Sequence, residues 1–344
     1  MKNASKYGIH RVITPQGTLP QAATKIDNNM DNIYPNEILI DVYSLNIDSA
    51  SFTQIKNDVG SNVDNIAKRI MDIVADLGKM QNPVTGSGGM LIGSVAKIGA
   101  DLVTDLKVGD KIATLVSLSL TPLKIEQVKA VHLQTERVDI NGQAILFETG
   151  IYAKLPADMT EELALAALDV AGAPAQTAKL AKPGDHVLIL GGAGKSGMMC
   201  CYEAKKQVGA KGKVVAAVIN EAEQKKLASS GLCDAIIIAD ATKPTLVLEK
   251  SLAANDNREY DLAINVVNVA NTEMSTILPL RDEGIAYFFS MATSFTKAAL
   301  GAEGVGKDVT MIVGNGYTKG HAQVTLDALR ESPVLRAIFE EKYS

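Results

Sequence analysis

The sequence predicts an α/β fold in two parts, a β-rich first half followed by a doubly wound parallel sheet. Three observations carry this. Val187 to Leu190 is an unbroken apolar run, the composition of a strand buried on both faces. Gly192, Gly194 and Gly197 follow it at G-x-G-x-x-G spacing, and a helical stretch to Val208 leads into a second apolar run, Val214 to Ile219. Beyond them, apolar runs at Ala235–Ala239, Leu262–Val267, Ile285–Phe289 and Val309–Val313 alternate with helical segments, the pattern of successive parallel β-α-β units.

The glycine triplet lies between a strand and a helix, the context that a dinucleotide-binding Rossmann unit demands. Gly192 is read as turning the chain off the strand, Gly194 as letting a pyrophosphate approach the backbone, and Gly197 as letting the helix pack against the sheet. Ala193, Lys195 and Ser196 complete the loop, where free N–H groups and the helix dipole favour phosphate. A P-loop would need a glycine five residues before Gly194, and Ile189 stands there. NAD enzymes commonly end the second strand on an acid for the ribose 2′-hydroxyl. Here Asn220 holds that place and Glu221 follows, so the expected cofactor is NAD or NADP. Asn265 and Asn268, at the end of the Leu262–Val267 strand, are candidates for the nicotinamide end, since ligands bind at the carboxyl ends of such strands.

The first half reads as short strands with one helical insertion. Gly8 to Ile13 is a strand candidate and Thr14-Pro15-Gln16-Gly17 a turn. Glu37 to Leu45 has strand composition, and Asn46 to Thr53 is small and polar. Across Asn62 to Met80, residues Ile66, Ile70, Ile73, Val74 and Leu77 recur at helical spacing. Pro83 to Gly99 is dense in glycine, and Val138 to Phe147 reads as a hairpin around Asn141-Gly142. Leu155-Pro156 marks a boundary, giving domains 1–155 and 156–330, with a tail, 331–344, free to pack back on the first. Asp158 to Glu161 offers a capping box for a helix from Leu163 to Val170.

Composition bounds the function. The net charge of −5 and the absence of tryptophan give no support to nucleic-acid or anionic-membrane binding. No apolar run is long enough to span a bilayer, so a cytoplasmic chain is expected. Cys200, Cys201 and Cys233 are odd in number, and two are adjacent, which argues against a disulfide framework.

The order of parts, with Lys107-Val-Gly-Asp110 and Lys182-Pro-Gly-Asp185 as turns, resembles the medium-chain dehydrogenase/reductase superfamily over nearly the whole chain. The resemblance implies a GroES-like first domain, a Rossmann second domain and a homodimer. Zinc-dependent members hold the metal through a Cys, a His and a Cys; those positions here carry Asp48, Gly89 and Ala171, with Met90 in place of a neighbouring Glu. One oxygen donor cannot hold a catalytic zinc, which takes about three protein ligands, so no metal is expected. Tyr7–Val12, Thr14–Ala23, Asn46–Phe52, Thr85–Met90, Asp169–Gln176 and Gly191–Met198 are similar to a zinc-free branch of amine dehydrogenases from lysine fermentation. That similarity implies NAD(P)-dependent oxidative deamination of (3S,5S)-3,5-diaminohexanoate at C3, yielding 5-amino-3-oxohexanoate and ammonia. Two alternatives stand beside it: a zinc-free quinone or enoyl reductase, and a non-catalytic dinucleotide-binding protein.

An ammonium cannot release hydride until it loses a proton, so a diamino acid substrate calls for carboxylates at the site. Asp48, at the position of the zinc-binding Cys, and Asp169, in an otherwise apolar helix, are the catalytic candidates, with Ser51 as a proton relay. Arg11 could pair with the substrate carboxylate but lies on a terminal strand, and nothing local supports His132 as a base.

Overall fold

Alternating burial along the strands of the first half builds a sheet with one face turned to a helix. The structure, a computed structural model, describes residues 4–290, 292–314 and 316–343. Its backbone contacts separate Met1–Ala157 from Asp158–Ser344. In the first unit Val12–Thr14 (β1) and Lys25–Ile26 (β2) make a small antiparallel pair. Glu37–Asn46 (β3), Met90–Ile98 (β4), Lys111–Thr114 (β5), Leu123–His132 (β6), Arg137–Phe147 (β7) and Tyr152–Lys154 (β8) form an antiparallel sheet in the order β6-β7-β3-β4-β5-β8. Ser49–Val59 (α1) and Val63–Leu77 (α2) are inserted between β3 and β4. The stripe Ile66, Ile70, Ile73 and Val74 of α2 shares one core with Ile38, Ile40, Val42 and Leu45 of β3. Asn62 starts α2 by accepting the N–H groups of Asp64 and Asn65.

Three local expectations change. Gly8 to Ile13 is mostly a 3-10 turn over Ile9–Arg11, and the strand starts at Val12. The polar segment after β3 becomes α1, because Asp48 caps it. Asn141-Gly142 makes no hairpin: β7 runs straight through it, with Gly142 opposite Val42 on one side and Ile125 on the other. A Cβ on Gly142 would lie 2.4 Å from the Lys124 carbonyl oxygen, so this glycine serves the close approach of two strands. The turn between β6 and β7 falls at residues 133–136, where Glu136 has φ 60.

The second unit opens with Glu161–Leu168 (α3) and Gly172–Leu180 (α4). The cap of α3 is Thr160, whose hydroxyl accepts from Leu163 N, while Asp158 is spent on Arg330. There follow His186–Leu190 (β9), Lys195–Val208 (α5), Lys213–Val218 (β10), Glu221–Ser230 (α6), Ala235–Ile238 (β11), Pro244–Ala254 (α7) and Tyr260–Asn265 (β12). Glu273–Ile277 (α8), Leu280–Phe288 (β13), Phe295–Gly304 (α9), Val309–Val313 (β14), His321–Glu331 (α10) and Pro333–Tyr343 (α11) complete it. The strands are parallel in the order β11-β10-β9-β12-β13-β14, the doubly wound order whose switch point lies between β9 and β12. Period-two burial divides β9 between two cores. Val187 and Ile189 face α5, α10 and α11, whereas Leu188 and Leu190 pack with Val247 of α7 and Ala298 of α9. The tail packs within the second unit: Leu335 and Phe339 of α11 are fully buried in the core around α5. Cys200 and Cys201 lie in that same core, and burial pushes the Cys200 thiol up to about 12.

Arg11 is spent on structure. Its Nε and Nη2 donate to the two oxygens of Glu37 at 2.6 and 2.7 Å, both side chains are 1 % exposed, and Nη1 and Nη2 also reach the carbonyls of Asn29 and Asn32. Burial alone would raise the Glu37 pKa; hydrogen bonds from Arg11, His10 and the Tyr34 N–H outweigh it and hold the carboxyl at about 2. Glu37→Gln leaves Arg11 buried without its counter-charge and is expected to cost about 3 kcal/mol or more in urea unfolding at pH 7. The depressed pKa also fixes the sign in acid. Its stabilisation is complete above pH 4.5 and is lost as pH falls toward about 2, so the wild-type and Glu37→Gln stabilities should converge over that range.

Candidate active site

In the second unit the phosphate loop grows from the end of β9. Gly191 makes the turn: it has φ +88, and its Cβ position lies 3.1 Å from Val267 on the loop after β12. The tight turn assigned to Gly192 therefore belongs to its neighbour. Gly192 is needed for packing, since a Cβ there would be 2.7 Å from that of Ala216 on β10. At Gly197 a Cβ would meet the Gly191 carbonyl oxygen at 2.1 Å, which fixes α5 against the turn. Gly194 differs. It is exposed, its nearest neighbour would be 3.5 Å away, and no side chain caps α5 at this end. The helix thus offers N–H groups and a positive dipole beside open backbone, a cradle that fits a pyrophosphate.

The other cofactor candidates have varied fates. Lys195 Nζ donates to Asp169 Oδ2 at 2.6 Å, which joins a residue expected to hold phosphate to one expected to do chemistry. Ala193 is buried and Ser196 half-buried within the loop. Asn220 caps α6 by accepting from Glu223 N at 2.9 Å, while Glu223 accepts from Ile219 N. Asn265 is fully buried; its amide donates to the hydroxyls of Thr272 and Thr276 and its oxygen accepts from Val267 N. It shapes the turn after β12. Asn268 is exposed on that same loop.

In the first unit the chain leaving β3 sets Asp48 at the start of α1. Its Oδ1 accepts from Ser51 N at 3.0 Å and its Oδ2 from the Ser87 hydroxyl at 2.8 Å. Ser51 is fully buried, and its Oγ lies 2.9 Å from Ser87 Oγ and 2.6 Å from Thr85 Oγ1. The loop carrying Ser87 and Thr85 is held by Asn82. That side chain accepts from Val84 N and Thr85 N and donates to the Ser51 carbonyl and to Gln54. Asp48 and Ser51 are thus brought together. Ser87, Thr85 and Asn82 went unread in the sequence, where the density of glycine and hydroxyls around Thr85-Gly-Ser-Gly-Gly was the available signal.

Metal has no donor set here. A Cβ on Gly89 would lie 2.0 Å from the Asn46 carbonyl oxygen, so no ligating side chain can stand at that position on this backbone. Among the described residues no group of three or more His, Cys, Asp and Glu could hold an ion. The histidines are engaged elsewhere: His10 with Glu37, His132 with Asp139 and His186 with Asn255, while His321 is buried with its pKa lowered by desolvation. No helix among the described residues is long and apolar enough to cross a membrane.

An antiparallel β unit followed by a 3-2-1-4-5-6 parallel sheet with this glycine turn is the fold of the medium-chain dehydrogenases/reductases. Solved structures agree on the fold. A 2-haloacrylate reductase matches at TM-score 0.57 and 14% identity, covering 92% of this chain and 85% of that one. A quinone oxidoreductase from Escherichia coli, complexed with NADPH, matches at TM-score 0.52 and 16% identity, covering 94% and 86%. Residues 10–156 match the family described as L-erythro-3,5-diaminohexanoate dehydrogenase N-terminal domain. Proteins named L-erythro-3,5-diaminohexanoate dehydrogenase are 68% identical in Acetoanaerobium sticklandii, over 98% of both chains, and 66% identical in Fusobacterium nucleatum, over 100% of both. The chain belongs to the L-erythro-3,5-diaminohexanoate dehydrogenase family, and it is an enzyme.

The two glycines of the cradle separate folding from binding. Gly194→Ala should leave the thermal midpoint unchanged yet weaken dinucleotide binding at least about tenfold, read from the fluorescence of reduced cofactor. Gly197→Ala should instead cost about 1–3 kcal/mol of stability by overpacking. Equal losses of stability in the two variants would contradict this division.

Proposed function

We propose that the protein oxidatively deaminates (3S,5S)-3,5-diaminohexanoate at C3, taking up water and releasing 5-amino-3-oxohexanoate and ammonia. The observation that carries this is identity above 65% to proteins of that name along the full length of the chain. The bound nicotinamide supplies the hydride acceptor. Asp48 accepts the proton that the C3 ammonium must lose before hydride can leave, because only the free amine has a lone pair to form C=N. Its two oxygens are oriented by Ser51 N and Ser87 Oγ, which supports a fixed base. Once that proton has gone to solvent, water adds to the iminium carbon and gives a proton to the emptied carboxylate, the carboxyl returns it to the nitrogen, and ammonia leaves as the new hydroxyl loses its proton to form the ketone. Ser51 takes part through its hydroxyl, which touches Ser87.

Asp169 acts through Lys195. Gly194, Lys195, Ser196 and the turn from Gly191 to Gly197 hold the pyrophosphate, and Asn268 lies on the loop toward the nicotinamide end. We expect both NAD and NADP to be accommodated: β10 ends at Val218, Asn220 rather than an acid caps α6, Glu223 is engaged with Ile219 N, and Lys225 and Lys226 follow on α6. We expect a cytoplasmic homodimer; β14 closes one side of the sheet order, with Val313 exposed.

Purified protein with 3,5-diaminohexanoate should produce reduced cofactor and ammonia in equal amounts. Silence with both NAD and NADP despite tight cofactor binding, with turnover of quinones or enones, would replace the reading by a reductase. Asp48→Asn should lower turnover at least about 100-fold with cofactor binding unchanged, and near-normal turnover would remove Asp48 from this role. For Asp169→Asn the expectation is unchanged turnover and cofactor affinity tightened by up to about fivefold at low salt, since one negative charge beside Lys195 is gone. A 100-fold fall in turnover would return Asp169 to the chemistry.

A further inference from the structure

We propose that Ser87, Ser51 and Thr85 form a hydroxyl relay that carries the proton accepted by Asp48 out to bulk water. The relay rests on the reading of Asp48 as the base. Four groups are joined by hydrogen bonds: Asp48 Oδ2 to Ser87 Oγ at 2.8 Å, Ser87 Oγ to Ser51 Oγ at 2.9 Å, and Ser51 Oγ to Thr85 Oγ1 at 2.6 Å, with a longer direct contact of 3.2 Å between Thr85 Oγ1 and Ser87 Oγ. Ser51 is fully buried, Asp48 and Ser87 are half-buried, and Thr85 is exposed. The chain of hydroxyls therefore leads from the carboxylate, past a side chain that water does not reach, to one that water does.

Direction and balance both work. With Asp48 ionised, Ser87 donates to it, Ser51 donates to Ser87, and Thr85 donates to Ser51, so every hydroxyl points toward the base. After Asp48 takes a proton it becomes the donor, and the hydroxyls turn outward, Ser87 toward Ser51, Ser51 toward Thr85 and Thr85 toward water. The new O–H bond of Asp48 then breaks as the proton moves to Ser87 Oγ, while Ser87 passes its own proton to Ser51, Ser51 to Thr85, and Thr85 to water. Three hydroxyls end neutral and turned back toward the base, one proton enters and one leaves, and nothing is oxidised or reduced. Such a path is needed because a fixed base must be emptied at every turnover. Loop closure does not account for the hydroxyls, since Asn82 already ties this loop through Val84 N, Thr85 N and the Ser51 carbonyl. Thr85 touches neither carboxylate nor reacting atoms, so it is a positioning and relay residue.

The test follows proton release and hydride transfer together in a single turnover, with a pH indicator and the reduced-nicotinamide absorbance. In the wild type the two should keep pace. In Thr85→Val proton release should lag hydride transfer and steady-state turnover should fall about tenfold or more, with KM for the diamine and cofactor affinity unchanged. Thr85→Ser, which restores the hydroxyl, should recover turnover to within about threefold of wild type on the same scale. Normal turnover and prompt proton release in Thr85→Val, alongside a slow Asp48→Asn, would overturn the relay while leaving Asp48 as base. Near-normal Asp48→Asn would overturn both. If Thr85→Val does not fold, Ser87→Ala carries the same comparison, since it interrupts the chain one step nearer the carboxylate.

Discussion

Between the Gly191 carbonyl oxygen and the Gly197 backbone there is no room for a methyl group, a Cβ at residue 197 meeting that oxygen at 2.1 Å. This contact seats the first turn of α5 on the end of β9, the central strand of the parallel sheet. It aims the uncapped end of the helix at the crevice beside β12, where the strand order reverses. A dinucleotide's phosphates, as proposed here, would depend on that aim more than on any single side chain, because the helix end supplies backbone N–H groups whose direction follows from the packing. The two cores on either face of β9 make the seat rigid, and a rigid seat lets a small gap at Gly194 remain open.

The two carboxylates singled out from the chemistry of an amine substrate are sorted by what they touch. Asp169 faces a cation, Lys195, and is drawn into the electrostatics of the phosphate loop. Asp48 faces hydrogen-bond donors without charge, the Ser51 amide and the Ser87 hydroxyl. A carboxylate held only by neutral dipoles keeps its charge available to an incoming ammonium; one already neutralised by lysine does not. The close packing that leaves no room for a side chain at Gly89 brings the backbone of β4's leading loop against Asn46 and Asp48, which is how Ser87 comes within reach.

Long periodic elements were legible in the sequence because one physical signal dominated each. The stripe of α2, the apolar runs of β9 and β10, and the glycines at 192 and 197 all follow from burial or close packing that local residues declare. What was illegible depended on distant partners. Asn141-Gly142 carries the strongest local hairpin signal, yet Gly142 is needed for the approach of Lys124, which lies elsewhere in the chain. Asn265 sits at the right end of the right strand, but two threonines downstream claim its amide. Thr85 and Ser87 lie more than thirty positions from the Asp48–Ser51 turn they join, and no periodicity announces such a meeting. Arg11 was read as peripheral from its place near the terminus; Glu37 draws it into the interior.

The burial of Leu335 and Phe339 against α5 has a consequence for biogenesis. The first unit has its own core and all of its strands by Ala157, so it can collapse while the chain is still being made. The nucleotide unit cannot finish, because the side chains that close one of its two faces are encoded near the end. At ordinary synthesis rates of about 5–20 residues per second, the gap is roughly 10 to 35 seconds. Once α5 has been made, its apolar side, with its two adjacent cysteines, stays incompletely covered until α11 follows.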